Sequence, residues 1–161
     1  MSSHVSTDTK PAPFRYYLRV RYGDCDGQKV VYNAKYGEYI DLASTEFLRV
    51  ALAPRSVFNG EFEFQVVKLL VEWQAPALLD DVIEISVRAT RFGTTSFTLG
   101  FEIRRAGEDA ILVTGETVNV HAHRVGEAWV KAPVPDATKR RLSEGAASQS
   151  INHAGEFAGA R

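Results

Sequence analysis

The run Arg21-Tyr22-Gly23-Asp24-Cys25-Asp26-Gly27-Gln28-Lys29-Val30-Val31-Tyr32-Asn33-Ala34-Lys35-Tyr36 separates two different hydrophobic periods, and the fold turns on it. Ahead of it, Phe14, Tyr16, Leu18, Val20 and Tyr22 alternate with Arg15, Arg19 and Arg21, the period of two that marks a half-buried strand. Tyr17 is the one position out of phase. Behind it, Tyr36, Tyr39, Ile40, Ala43, Phe47, Leu48 and Ala51 recur at three-and-four spacing, with Glu38, Asp41 and Glu46 off the stripe. That spacing predicts an amphipathic helix. Asn33 is its candidate N-cap and Pro54 its stop. Glycine beside aspartate, at Gly23-Asp24 and Asp26-Gly27, is the chemistry of a tight turn between the two elements.

Further along the chain the composition is that of strands: Phe64 to Trp73, Val82 to Thr90, Ser96 to Arg104, and Ile111 to His123. Phe97, Leu99, Phe101 and Ile103 interleave with Ser96, Thr98, Glu102 and Arg104, as in an antiparallel sheet with one covered face. Only one long helix is available to cover that face. The economical architecture is therefore α+β, a five-stranded antiparallel sheet wrapped around one long central helix. Gly126 to Lys131, with Trp129 and Val130, fits either an extension of the sheet or a short hairpin arm. Pro133 and Pro135 lead into a short charged helix over Asp136 to Glu144. Residues 1–13 are expected to be a flexible polar N-terminus, 14–144 a single domain, and 145–161 a loose tail of small and polar residues.

Composition narrows the classes of function. A chain of 161 residues with 45% apolar and 24% charged residues supports one globular core and leaves little room for a cofactor domain. Nineteen Lys and Arg against 20 Asp and Glu give no electrostatic footprint for nucleic acid or for an anionic membrane. No apolar run is long enough to span a bilayer, and the first residues lack the apolar core of a signal peptide. The single cysteine, Cys25, has no intrachain partner, and no cysteine and histidine spacing suits a metal. A cytoplasmic protein is expected.

Asp24 and Asp26 stand where a strand hands over to a helix. On the residues alone two roles are open to them, satisfying turn amides or performing chemistry. The coming helix adds an end whose first amides lack partners and whose dipole favours developing negative charge, the makings of an oxyanion site.

The run Arg21 to Tyr36 resembles the signature of the 4-hydroxybenzoyl-CoA thioesterase family of hotdog proteins. Its form there is an aspartate, a short glycine-containing turn, an apolar pair, an aromatic or asparagine, and a tyrosine inside the helix. Tyr39-Ile40-Asp41-Leu42-Ala43-Ser44 is similar to that family's helix, and with the strand order the resemblance covers Phe14 to Leu142. It implies a hotdog fold and an acyl-CoA thioesterase that needs no cofactor and works as a homodimer or homotetramer, with the acyl site between subunits. It further implies that Asp26 is the catalytic carboxylate, that Asp24 supports it, and that the Asn33 amide polarises the thioester carbonyl. Tyr32 and Tyr36 are then the candidates to line the acyl group. Ser96, in the Ser-Phe that opens the fourth strand, is a further candidate to bind the substrate.

Two departures stand out. Lys29 occupies a position where the family carries glycine, and Gly93-Thr94-Thr95 replaces its basic pair ahead of Ser96. Arg88, Arg91, Arg124 and Lys131 are then the cations open to the CoA phosphates. Asp41, on the helix's polar side, is a candidate for a bond within an oligomer. Two alternatives share the fold: a hydratase or dehydratase, and a non-catalytic acyl-binding protein. The first needs a histidine near the site, whereas His4, His121, His123 and His153 all lie outside the loop and helix.

Overall fold

The computed structural model describes residues 10–54 and 59–158. His4 and most of the expected N-terminal segment, together with residues 159–161 of the expected tail, lie outside the described residues.

The period-two run forms β1 (Phe14–Arg19), and a 3-10 turn (Tyr22–Asp24) closes it. The three-and-four run forms α1 (Lys35–Ala51). Its buried residues are the seven of the predicted stripe, Tyr36, Tyr39, Ile40, Ala43, Phe47, Leu48 and Ala51. The helix begins later than expected, because the Tyr32 carbonyl accepts the Lys35 amide at 2.8 Å and holds a separate turn ahead of it. Ala34 therefore occupies the N-cap, with no side-chain cap bond, and Asn33 lies just before it.

The four strands expected after the helix are present as β2 (Phe64–Trp73), β3 (Val82–Phe92), β4 (Ser96–Arg105) and β5 (Ile111–Val125). The five-stranded sheet is corrected to seven strands among the described residues: with β6 (Ala128–Lys131) and β7 (Ser150–Asn152) added, the order is β2-β5-β4-β3-β1-β7 and β6 is attached to β5. Of the two additions, β6 (Ala128–Lys131) folds back on β5 as a hairpin arm, in the register Arg124 opposite Trp129. The short charged helix forms where its composition placed it, as α2 (Asp136–Glu144).

The second addition replaces the start of the expected loose tail. Ser150–Asn152 form β7, parallel to β1, and the His153 amide donates to the Tyr17 carbonyl at 2.8 Å. Backbone pairing holds this segment, so its small polar side chains gave no sign of it. It also accounts for Tyr17. That side chain is buried on the face away from α1 because its ring meets Phe157 at 5.3 Å and its hydroxyl donates to Glu84 at 3.0 Å.

The core lies between α1 and the sheet, where Ile83, Ile85, Val87, Phe97, Leu99, Phe101, Ile103 and Val113 face the helix stripe. Gly115 in β5 allows the closest approach, since a Cβ there would stand 2.5 Å from Ile40 Cδ1. The opposite face of the sheet is polar, with ion pairs Arg15 to Glu84 and Arg104 to Glu102. β2 is different. Among the described residues it pairs only with β5, and Val66, Val67, Leu69, Leu70 and Trp73 are all exposed along it.

Candidate active site

Where β1 ends, the chain turns back sharply, and Asp24 is the residue that makes the turn. Its carboxylate is 3% exposed and accepts the Arg21 amide at 3.0 Å, the Tyr39 hydroxyl at 2.8 Å and the Lys35 ammonium at 3.2 Å. Its carbonyl accepts the Tyr32 amide at 3.0 Å, while Lys35 reaches on to Glu38 at 2.7 Å. Burial pulls the Asp24 carboxyl upward, but the Arg21 amide, the Tyr39 hydroxyl and Lys35 together hold it below the ordinary aspartate value. Burial and the neighbouring Asp24 charge push the Tyr39 phenol strongly up, so it stays a hydrogen-bond donor. Of the two roles open to an aspartate here, Asp24 takes the structural one. It ties the 3-10 turn, the loop and the first turns of α1 into one unit.

Asp26 lies two residues on and is exposed. Its amide donates to Val30 at 2.9 Å and its carbonyl accepts from Lys29 at 3.0 Å, while Oδ1 accepts the Gln28 amide at 2.8 Å. Among the described residues that amide is the only partner of the carboxylate. The loop is pinned by bridges from Cys25 to Val31 and from Val30 to Leu78. Lys29 adopts φ 62°, the left-handed region that glycine enters freely. The departure from the family signature thus falls at a strained position.

Asn33 lies in the turn ahead of α1, and among the described residues no acceptor takes its amide. A cleft of about 500 Å³ opens here, lined by Asp26 and Asn33 together with Val31, Tyr36, Trp73 and Gln74. An anionic carboxylate and an unpartnered amide at a helix N-terminus therefore share one cavity. A base or nucleophile can act on a carbonyl there while the amide receives charge developing on its oxygen. Tyr36 is buried and forms the inner wall. The Ala77 amide donates to its hydroxyl oxygen at 3.0 Å, and its ring meets Tyr39 edge to face at 5.9 Å. Burial pushes its phenol up as well.

Three of the five predicted site residues, Asp26, Asn33 and Tyr36, thus come together. Tyr32 is 55% exposed and does not line the cleft. Ser96 stands at the other end of the sheet: it pairs with Val120, beside the Phe64 end of β2, whereas the cleft lies at the Trp73 end. The two ends are nine residue steps apart along β2, about 30 Å at roughly 3.4 Å per step. Within one chain Ser96 cannot reach the substrate position. Arg88 faces a polar hollow of about 550 Å³ on the outer side of the sheet, and Arg124 and Lys131 project from the hairpin arm.

The three described histidines stand apart from the cleft. His121 stacks on Phe62 with ring centres 4.9 Å apart, His153 meets the Tyr16 hydroxyl at 2.9 Å, and His123 is exposed on the arm. Among the described residues no group of His, Cys, Asp or Glu could hold a metal ion, and no helix is long and apolar enough to cross a membrane.

Trp73 and Gln74 were not singled out from the sequence, since Trp73 reads there as the last residue of a strand. Tyr39 and Lys35 were missed too: one reads as helix core, the other as a surface charge. Their partner Asp24 lies across a turn that periodicity does not describe.

Known proteins resemble this chain in sequence and in fold. The model of the thioesterase-like superfamily matches residues 20–142. The acyl-CoA thioester hydrolase YbgC of Escherichia coli O6:H1 is 36% identical over 108 residues, covering 66% of this chain and 80% of that protein. Among solved structures, a hypothetical protein from Thermus thermophilus superposes with TM-score 0.68 at 28% identity, over 80% of this chain and 95% of its own. The 4-hydroxybenzoyl-CoA thioesterase of Pseudomonas sp. strain CBS-3 superposes with TM-score 0.70 at 20% identity, over 79% and 96%, a likeness of fold. With the signature loop, the helix after it and five strands of the sheet, β2 to β6, inside the matched span, this chain belongs to the thioesterase-like superfamily.

Proposed function

We propose that this protein is an acyl-CoA thioesterase that hydrolyses the thioester of an acyl-CoA to a free acid and CoA, with Asp26 and the Asn33 amide as its reacting groups. The observation that carries this reading is that the exposed Asp26 carboxylate and the unpartnered Asn33 amide line the same cleft at the start of α1. The thioester carbonyl points at the Asn33 amide, which stabilises the oxyanion more than the ground state. Asp26 either takes a proton from water as the water oxygen attacks the carbonyl carbon, or attacks that carbon itself to give an anhydride that water opens. In both routes the C–S bond breaks, the thiolate leaves and one water is consumed. Tyr36 bounds the acyl side of the cleft, and Tyr32 lies near its mouth.

The functional unit in this reading is a homodimer or a homotetramer. β2 supports it, as an open edge of 10 residues with apolar side chains exposed along its length invites pairing with a second copy. Antiparallel pairing of two such edges brings the Phe64 end of one copy beside the Trp73 end of the other. Ser96 then reaches the substrate across the subunit boundary, and the acyl site lies between copies. The domain is placed at 14 to 144, and β7 from the segment after it adds a strand to its sheet. A free, half-buried Cys25 suits a reducing compartment, and we place the enzyme in the cytoplasm.

The test is thiol release from a panel of short, long and aromatic acyl-CoAs. Turnover of at least one, lost in Asp26→Asn, is expected. No thiol release across the panel would overturn the reading.

A further inference from the structure

The hairpin arm carries a constellation that the thioester cleft does not use. In the β5–β6 pair Arg124 stands opposite Trp129 and Ala122 opposite Lys131, so Arg124, Trp129 and Lys131 share one face. The Arg124 guanidinium carbon lies 5.6 Å from the centre of the Trp129 ring, which remains 45% exposed. Neither Arg124 nor Lys131 has an ion-pair partner among the described residues, and Glu127 at the hairpin turn pairs with neither. An exposed indole flanked by two uncompensated cations presents a π-face to a purine and charge-assisted donors to phosphates.

We infer that this hairpin face is the nucleotide subsite of the enzyme, with Trp129 stacking on the adenine of CoA and Arg124 and Lys131 contacting its phosphates. The inference rests on the acyl-CoA reading of the cleft and deepens it. The position fits. β5 pairs with β2 from Val113 opposite Trp73 to His121 opposite Phe64, and the arm continues past that Phe64 end. When two β2 edges pair antiparallel, one copy's arm stands beside the other copy's Trp73, at the mouth of its cleft. The thioester then lies in one subunit and the nucleotide on its partner, with the pantetheine arm between them.

The chain has two tryptophans, one in the cleft and one on the arm. Trp73→Phe therefore leaves Trp129 as the only indole, and its fluorescence should be quenched by adenosine 3′,5′-bisphosphate. In the otherwise unaltered chain, Arg124→Ala and Trp129→Ala should each lower kcat/KM for acyl-CoA about tenfold, the effect of one lost stacked base or phosphate contact. Both should leave hydrolysis of the matching acyl-N-acetylcysteamine thioester, which lacks the nucleotide, unchanged. Trp129→Phe should restore most of the acyl-CoA rate. A Trp129 signal indifferent to the bisphosphate, or acyl-CoA and acyl-N-acetylcysteamine rates that fall together, would overturn the subsite. Loss of all thioester hydrolysis in the unaltered chain would instead overturn the reading of the cleft.

Discussion

Replacing Tyr39 by phenylalanine deletes one atom, the hydroxyl oxygen that donates to Asp24 at 2.8 Å, and keeps the ring that packs on Tyr36. Asp24 is almost fully buried, so water cannot take the vacated place freely, and the remaining Arg21 and Lys35 contacts must carry the charge alone. A hydrogen bond to a charged group contributes about 1.5–3 kcal/mol, so a loss of about 2 kcal/mol is expected at pH 7. For a chain of 161 residues that lowers Tm by about 4–8 °C. The dependence on pH is the sharper part. Because the folded Asp24 carboxyl is held below the ordinary value of 3.8, its charge adds stability above that pH, and the addition is lost as pH falls through the folded value. Once the carboxyl is protonated the lost bond is neutral on both sides, and the deficit of Tyr39→Phe should shrink to about 1 kcal/mol. Urea unfolding of both proteins between pH 7 and pH 2.5 measures this. A deficit under about 0.5 kcal/mol at neutral pH, or one that stays constant into acid, would refute the buried charged bond.

Asp26→Asn should keep the wild-type Tm and lower thiol release at least 10²-fold, the scale on which a general base contributes; near wild-type turnover would remove Asp26 from the chemistry. Lys29→Gly should raise stability by about 0.5–1 kcal/mol in urea titrations, because φ 62° strains a residue with a Cβ more than glycine loses in chain entropy. Burial raises the phenols of Tyr16, Tyr36 and Tyr39 above 10.0, so their contribution is complete below pH 10 and is lost as pH climbs from there, where the unfolded tyrosines ionise first. Thermal melts should therefore decline above pH 10, and less steeply in Tyr36→Phe, where Tyr16 and Tyr39 still contribute. Val67→Pro, at the bulge where the β2–β5 register slips, removes an edge amide and should shift sedimentation toward the monomer; an unchanged species would exclude β2 as the contact.

The elements that periodicity describes were legible before any coordinate. The strand over Phe14 to Arg19, the seven-residue stripe of α1, the four long strands and α2 all follow from where apolar side chains recur, since each must bury its own face. The turn chemistry between Gly23 and Gly27 marked the loop, and the signature within it pointed to Asp26 and Asn33. Side-chain patterns carry no record of backbone partners, however. β7 is held to β1 by main-chain bonds and β6 to β5 by a hairpin whose composition suited two arrangements, so the sheet grew from the five expected strands to seven only in three dimensions.

The same division runs through the site. Asp24 and Asp26 are chemically alike and two residues apart, and only the fold tells them apart. One is enclosed by Arg21, Tyr39 and Lys35, groups brought to it by a turn and a helix, while the other is left facing a cleft. Trp73 enters that cleft because β2 ends beside the loop, and Ser96 is excluded from it because β4 begins at the opposite end of the sheet. Local sequence determined which residues could do chemistry and which elements carry them, because period and turn propensity are properties of neighbours along the chain. Which of them meet, and which are buried in meeting, was decided by tertiary packing, because distance and desolvation are set by residues far apart in sequence.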